Sequence, residues 1–496
     1  MATVVGQTIG GLVASLAAAA LCAGVLIGGC SDDTTGGGVG PGGTGTGAGA
    51  GTGGTSAGGT SAGGTSAGGQ GGTPLPPLEC GGGFAWDVDV SEDFSLDDTA
   101  ANQQLPWNKR GAMGASACGD LGLVYRDSDG GVTYAHVTAA GLQGQATVLS
   151  ASSGQAPVIF YDASCAPQVV TIDSSGDLIQ ASPSGQDSWE ANPIALTPLS
   201  GHTASNIVGL VLGRDGKQHL FLHGSDGSAQ RLLQGTLEGA SWTFRSLPLV
   251  EISGTSTFWT SPQVFNYAVD SQGEAHAAFS TGIDLGYAVT SAGAWQQEIV
   301  ETAVDDRDIP GFEAYIAIGP DDQPAIANGH STHYVGWSIK TLELYLYTRE
   351  GGTWTSELIA DEADGYVGSD GNRYTGAQIQ LFFDAWDQPY VTFNDLASWH
   401  ITYNYTAVGQ IRYAIKACGQ WQVATIFQQD GQTASPNPIH ECLIPTMATG
   451  SDHQTMLFAC AERSIPDEQA SNNGWSSSWS SYPVTVRALL ATQQME

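Results

Sequence analysis

Four stretches hold most of the side chains that could do chemistry. NGHSTHYVGWSIKTLE (328–343) carries His330, His333 and Trp337, and NDLASWHITYNYTAVGQ (394–410) carries Trp399, His400, Tyr403 and Tyr405. AERSIPDEQASNNGWSSSWSSYP (461–483) carries Trp475 and Trp479, and DEADGYVGSDGNRYTG (361–376) carries Asp361, Asp364, Asp370, Asn372 and Arg373. Aromatic rings beside short polar side chains suit the apolar faces of sugar rings, whose hydroxyls bond to Asn, Asp and His. The expected ligand-binding residues are therefore Trp337, Trp399, His400, Tyr403, Arg373 and Trp475. The competing reading is that the same aromatics pin long loops onto the fold.

Metal and catalytic readings are less specific. His330 and His333 form a bare His-x-x-His with no placed carboxylate. Asp361, Asp364 and Asp370, with Asn372, offer oxygen ligands among glycines, so Ca2+ is the one cofactor they suggest, although their spacing is not that of a helix-loop-helix site. A uronate lyase needs a Tyr or His base and a cation, roles that His400, Tyr403 and Arg373 match in type, while nothing in their spacing compels it. A sialidase-like site needs three arginines and a Tyr/Glu nucleophile pair; the chain has 11 Arg and no assignable triad. A full Ser-x-Asp-x-Gly-x-Thr-Trp box is absent, SGQDSW (184–189) being a fragment of it. No Gly-x-Ser-x-Gly elbow, His-Glu-x-x-His, P-loop or dinucleotide fingerprint occurs. No catalytic residue is assigned.

These stretches must be positioned by a larger frame, and from residue 80 onward that frame reads as all-β. Apolar-alternating runs of four to eight residues recur between Gly/Asp/Asn turns. A tight turn followed by an extended run repeats in GRDGKQHLFLHG (213–224), DSQGEAHAAFSTG (270–282), GPDDQPAIANG (319–329), DAWDQPYVTFND (384–395) and GSDHQTMLFAC (450–460), with weaker copies at 117–127 and 163–173. A Trp opens a later strand in five of the units: Trp189, Trp242, Trp295, Trp354 and Trp421. Turn centres near 119, 166, 216, 273, 322, 387 and 453 are 47 to 66 residues apart, enough for four short strands each. The expected fold is a seven-bladed β-propeller of four-stranded antiparallel blades over residues 80–496. The last unit lacks a fourth strand, and GGGFAWDVDV (81–90) is an orphan with the Gly-x-Trp entry of fourth strands, so Phe84 to Val90 should close the ring. The repeat resembles those of exported bacterial propellers with sialidase-like or lectin-like blades, most clearly over residues 205–430. On that frame the long stretches at 328–343, 394–410, 461–483 and 361–376 are expected as loops on one face at blades five to seven.

The blade frame also pairs the cysteines. Cys442 and Cys460 flank one turn, Cys118 and Cys165 occupy equivalent turns of neighbouring blades, and Cys80 and Cys418 each precede a fourth-strand Trp. Disulfides are expected for all three pairs in an exported domain.

Two further cysteines precede the domain. Residues 10–29 are apolar and uncharged and end at Ile27-Gly28-Gly29-Cys30, which resembles the lipobox of bacterial lipoproteins. The resemblance implies a signal peptide over 1–29, cleavage before Cys30 and a diacylglycerol on its thiol, hence an envelope lipoprotein of the outer membrane facing periplasm or cell surface. It departs from the pattern in having no Lys or Arg before the apolar run. Residues 30–79, with GGTSA at 53–57, 58–62 and 63–67, have nothing to bury and read as a flexible tether.

Composition limits the partners. With 49 Asp plus Glu against 15 Lys plus Arg, the formal net charge is -34, so no nucleic-acid partner is expected. The function expected is a tethered, monomeric binding or scaffold module, with glycan as its ligand. The alternatives are a polysaccharide-degrading lyase or glycosidase on the same face, and a platform for envelope proteins.

Overall fold

The computed structural model describes the strands Phe84–Val90 and Leu96–Asp98 and, with interruptions in the connections, residues 111–495, with side chains over most of 112–426. The only helical segment among the described residues is the short 3-10 turn Pro320–Asp322.

The strands sort into seven sheets in chain order. Within each of the first six, four consecutive strands pair as an antiparallel meander. The first runs Gly111–Ala115, Leu121–Arg126, Val132–Thr138, Gly141–Leu149, and the fourth Gln263–Val269, Ala275–Ser280, Leu285–Ser291, Ala294–Glu301. First strands touch the first strand of the next sheet: Gly111–Ala115 meets Val158–Tyr161, which meets Thr203–Leu212, and Gln263–Val269 meets Ile309–Ile318, which meets Ala377–Phe383. In the seventh sheet, Ile439–Cys442 touches Tyr405–Ala417 and Thr446–Gly450 touches Gly111–Ala115, so the ring closes. This is the all-β propeller that the repeat implies.

The expected closing strand is in place. Phe84–Val90 pairs antiparallel with the C-terminal strand Val484–Met495, from Phe84 opposite Met495 to Val90 opposite Leu489. Leu96–Asp98 continues that edge, with Leu96 opposite Val486. The first and last described strands thus lie in one sheet, and Phe84–Val90 and Leu96–Asp98 cover the outer side of the C-terminal strand.

Burial explains the texture of the sequence. Inner strands are covered on both faces by neighbouring sheets, so Ala275–Ser280 (AHAAFS) is buried throughout, whereas the outer strand Trp189–Pro193 is mostly exposed. Turn aspartates hold the hairpins: Asp270 Oδ1 accepts from the backbone N–H of Gln272 (2.9 Å) and Glu274 (2.8 Å). The fourth-strand tryptophans reach into the preceding sheet. Trp242 stands edge-on to Phe160 (6.1 Å) and donates Nε1–H to Gln180 (2.8 Å). Trp354 packs on Tyr287 (5.2 Å) and donates to Glu298 (2.9 Å), and Trp295 donates to the Pro248 carbonyl (2.8 Å). At these junctions the ring, buried in Trp242 and half-buried in Trp295 and Trp354, supplies apolar area, and its indole N–H fixes the register between sheets.

Among the cysteines, Cys118 and Cys165 are disulfide-bonded across the first two sheets, with Cα atoms 6.2 Å apart. Cys442 lies directly opposite Cys460 in the strand register. Cys418 is disulfide-bonded. Cys80, Cys22 and Cys30 lie outside the described residues, as do the expected signal and tether segments.

Candidate functional site

The connections between second and third strands and those between sheets lie on the same face of the ring, here called the upper face. Strand length decides how far each blade rises there. Second and third strands span 6 or 7 residues in sheets one, two and four, and 8 and 9 in sheet three. In sheets five, six and seven they span 11 to 13 residues. Five extra residues at about 3.3 Å per residue add about 16 Å of height. The upper face is thus walled on one side by three tall hairpins.

This corrects the reading of two long loops. Residues 328–343 are paired strand except at 336–337: His330 lies opposite Glu343, Tyr334 opposite Ile339 and Val335 opposite Ser338. Residues 394–410 likewise run as strand through Trp399 opposite Thr406 and His400 opposite Tyr405. The physical reason is that the β-branched and aromatic residues on both arms can extend the ladder, and register shifts at Ser331/His333 and Leu396/Ser398 absorb the small polar residues. In the stretch at 361–376, Arg373–Tyr374 forms a short strand parallel to Ser338–Glu350, with Arg373 opposite Thr341. That strand also touches Pro389–His400, so Arg373 sits in the backbone seam between the fifth and sixth sheets.

The expected site residues distribute accordingly. Trp399 and His400 end a tall strand and Arg373 lies in the seam beside it. Trp337, Tyr403, Trp475, Asp364 and Asp370 lie outside the described residues, and Asp361 is half-buried at the start of its connection. Among the described residues no three His, Cys, Asp or Glu side chains gather as a metal would require.

His330 has a different role from the metal ligand considered above. It is 7 % exposed, and its Nε2 lies 2.6 Å from Asp308 Oδ1. Asp308 belongs to the connection leaving the fourth sheet, so this bond ties that connection to the fifth sheet's tall hairpin. The connection is fastened twice more: Asp308 Oδ2 accepts from the Val304 N–H (3.2 Å), and Asp284 Oδ1 accepts from the Ala303 N–H (2.9 Å). Val304 itself is 86 % exposed, an apolar side chain held up into solvent.

Around this tie the fourth and fifth sheets bring together Glu301, Glu343, Tyr345 and Tyr347. Tyr345 stacks obliquely on His330 (5.7 Å) and donates its hydroxyl to Glu343 (2.6 Å), while Tyr347 donates to Glu301. Burial, then the Glu343 hydrogen bond and the charges of Glu343, Glu301 and Asp308, hold the Tyr345 phenol far above its ordinary value. Burial and Glu301 do the same to Tyr347. Both remain protonated at neutral pH, suited to donate hydrogen bonds and to offer a ring face rather than to act as bases or nucleophiles. Sequence reasoning missed this group. Its signal was the alternation in Leu342–Tyr347 (LELYLY), which puts Glu343, Tyr345 and Tyr347 on one face.

At the opposite end of the ring the first strands line a small cavity. Between the first strands of sheets three to six there remains about 100 Å³ of space. Arg214 crosses it, donating Nε–H to the Ile318 carbonyl (2.9 Å) with its guanidinium over Phe383 (5.8 Å).

No family model matches the chain, and no curated protein matches it. Among solved structures it is similar to AofleA from Arthrobotrys oligospora (14 % identity, 69 % of this chain and 90 % of that one, TM-score 0.35). It is also similar to an ulvan lyase of polysaccharide lyase family 25 (11 %, 75 % and 93 %, TM-score 0.42). A third similar structure is the Aleuria aurantia lectin in complex with a fucoside (15 %, 66 % and 97 %, TM-score 0.32). The fold assignment rests on the sheets and their closure described above.

Proposed function

We propose that the protein is a glycan-binding propeller, tethered to the bacterial envelope through Cys30, that holds its ligand against the wall raised by sheets five to seven. The observation that carries this reading is the one-sided height of the hairpins. Lengthening only these strands costs backbone ordering and gains nothing for a ring whose inner strands already close it. The added length instead carries Trp399, His400 and Tyr405 to the end of a hairpin. Flat aromatic faces beside amide, hydroxyl and imidazole groups are what a sugar ring requires of a binding surface. Lectin and lyase neighbours with glycan ligands agree with that choice of ligand without deciding it.

Binding is favoured over turnover by the state of the described side chains. Tyr345 and Tyr347 are held as phenols by carboxylates, so neither is poised to accept a proton from a sugar. The test is to apply the full chain to an array of immobilised polysaccharides and to assay the same polysaccharides for new reducing ends and for absorbance of unsaturated sugars. Retention without turnover is expected. Turnover would replace the binding reading with the enzymatic one, and absence of retention together with capture of envelope proteins would replace it with the platform.

The envelope part has its own test. Cys30→Ser should move the protein from the membrane pellet to the soluble fraction and remove a diacylglycerol mass from the N-terminal peptide. An unchanged distribution would refute the anchor.

A further inference from the structure

Resting on the glycan reading, the charge around the walled face points to a narrower ligand class: we infer that the glycan carries no carboxylate or sulfate groups, and that an amine on it is favoured. The described part of the site is acidic. Glu301, Asp308 and Glu343 converge on Tyr345 from both sheets, and Asp308 keeps 22 % of its side chain exposed. The half-buried Tyr345 hydroxyl is already donated to Glu343, so the free hydrogen-bonding capacity of this group is chiefly that of acceptors. Acceptors and carboxylates accept hydroxyl and ammonium protons, and they repel uronates and sulfates.

Cations elsewhere do not reverse that balance. Arg412, on the tall third strand of the sixth sheet, is 7 % exposed, bonded to Asp395 (3.2 Å) and stacked on Phe393 (5.6 Å). Arg349 is held by Glu298 (3.1 Å) and Lys416 by Glu357 (2.5 Å). These charges are used within the fold. In sequence, two connections on this side hold more acid than base: 301–308 (ETAVDDRD) contains four Asp or Glu and one Arg, and 361–376 contains four and one. With a net charge of -34 behind them, and Arg373 and Lys340 as the cations whose backbone is described on this side, a polyanion approaching this face meets net repulsion.

This reading separates the protein from the chemistry of uronate cleavage, whose substrate is an acid sugar. It also gives the carboxylates a use besides solubility. An ammonium group on a sugar can replace the hydration that Glu343 and Asp308 otherwise keep.

The experiment is calorimetric titration of the full chain, at low and at physiological salt, with oligosaccharides matched in length. The probes are an N-acetylated chitin hexamer (neutral), its deacetylated counterpart (cationic), and hyaluronan and alginate hexamers (anionic). The expected order is cationic first, neutral next, and anionic at least tenfold weaker than neutral, with the cationic advantage shrinking as salt rises. Glu343→Gln keeps an acceptor for Tyr345; it should remove most of the cationic advantage, measured as the ratio of cationic to neutral affinity, with the thermal midpoint within error. Anionic hexamers binding as well as neutral ones would overturn the inference and leave the glycan reading standing. No hexamer binding, with no retention on the polysaccharide array either, would overturn both.

Discussion

At the residue scale, the side chains that hold the ring and those that face the ligand are distinct, and substitution should separate them. Trp242 is 7 % exposed and stitches the third sheet to the second. Trp242→Ala removes a large buried ring and its indole bond, and should cost about 3–5 kcal/mol in urea unfolding. Trp399→Ala, near the end of a tall strand, should leave that midpoint in place and weaken glycan retention. Asp308→Ala should act locally. It deprives His330 of its carboxylate, costing about 1.5–3 kcal/mol for a charge-assisted bond, and amide exchange should accelerate in the connection 302–308 before it does in the ring. Global destabilisation without that local signature would show that the tie is not what positions this connection. The residues of this group were hidden in sequence because their partners come from different sheets: Asp308 and His330 are 22 positions apart and share no motif. The turn aspartates were legible because their hydrogen bonds are local.

At the element scale, the decisive feature is hairpin height, and here sequence and structure part most clearly. NGHSTHYVGW reads as a loop because Gly, Ser, His and Asn are common in turns, yet the ladder carries it to Val335. What sequence alone could not supply was the partner arm, whose Ser338–Leu342 pairs with it across a connection of two residues. The ring closure was legible for the opposite reason. Phe84–Val90 has glycines and then a Trp at its start, as the other fourth strands do, and no sheet of its own before it. A direct test of height is to replace Tyr334–Lys340 by Asn-Gly, joining His333 to Thr341 through a tight turn that the register already allows. The ring should keep its thermal midpoint to within a few degrees, because no inner strand is touched, and glycan retention should fall at least tenfold. A shortened hairpin that still binds normally would remove the wall from the account.

At the scale of the whole molecule, the ring depends on cross-links and on protonation. The bond between Cys118 and Cys165 closes a span of 47 residues across two sheets. By chain entropy its loss should cost up to about 4 kcal/mol, measured as the difference in unfolding free energy between the protein and its Cys118→Ser/Cys165→Ser variant. The pH dependence has two sides. His219 and His276 are buried and their pKa values lie below the ordinary 6.5, burial outweighing Asp215 and Asp270. The unfolded chain therefore binds more protons there, and their contribution, complete above 6.5, should be lost as pH falls below it. Buried tyrosines shift the other way: burial pushes Tyr134 up to about 12 from 10.0 and raises Tyr267 and Tyr287 further. Their contribution is complete below 10 and should be lost as pH rises past it. Thermal midpoints from pH 4 to 11 should form a plateau between those limits; a midpoint that climbs steadily below pH 6 would contradict the burial of the two histidines.

The central claim is that the tall face of sheets five to seven holds a glycan, and one comparison tests it most directly. The full chain and its Trp337→Ala/Trp399→Ala/Trp475→Ala variant are applied side by side to an array of neutral and amino-bearing polysaccharides, with unfolding midpoints measured on the same samples. The account predicts retention of the full chain on at least one polysaccharide, retention at least tenfold weaker for the variant, and matching midpoints. Equal retention of the two proteins, or retention of neither, would contradict it.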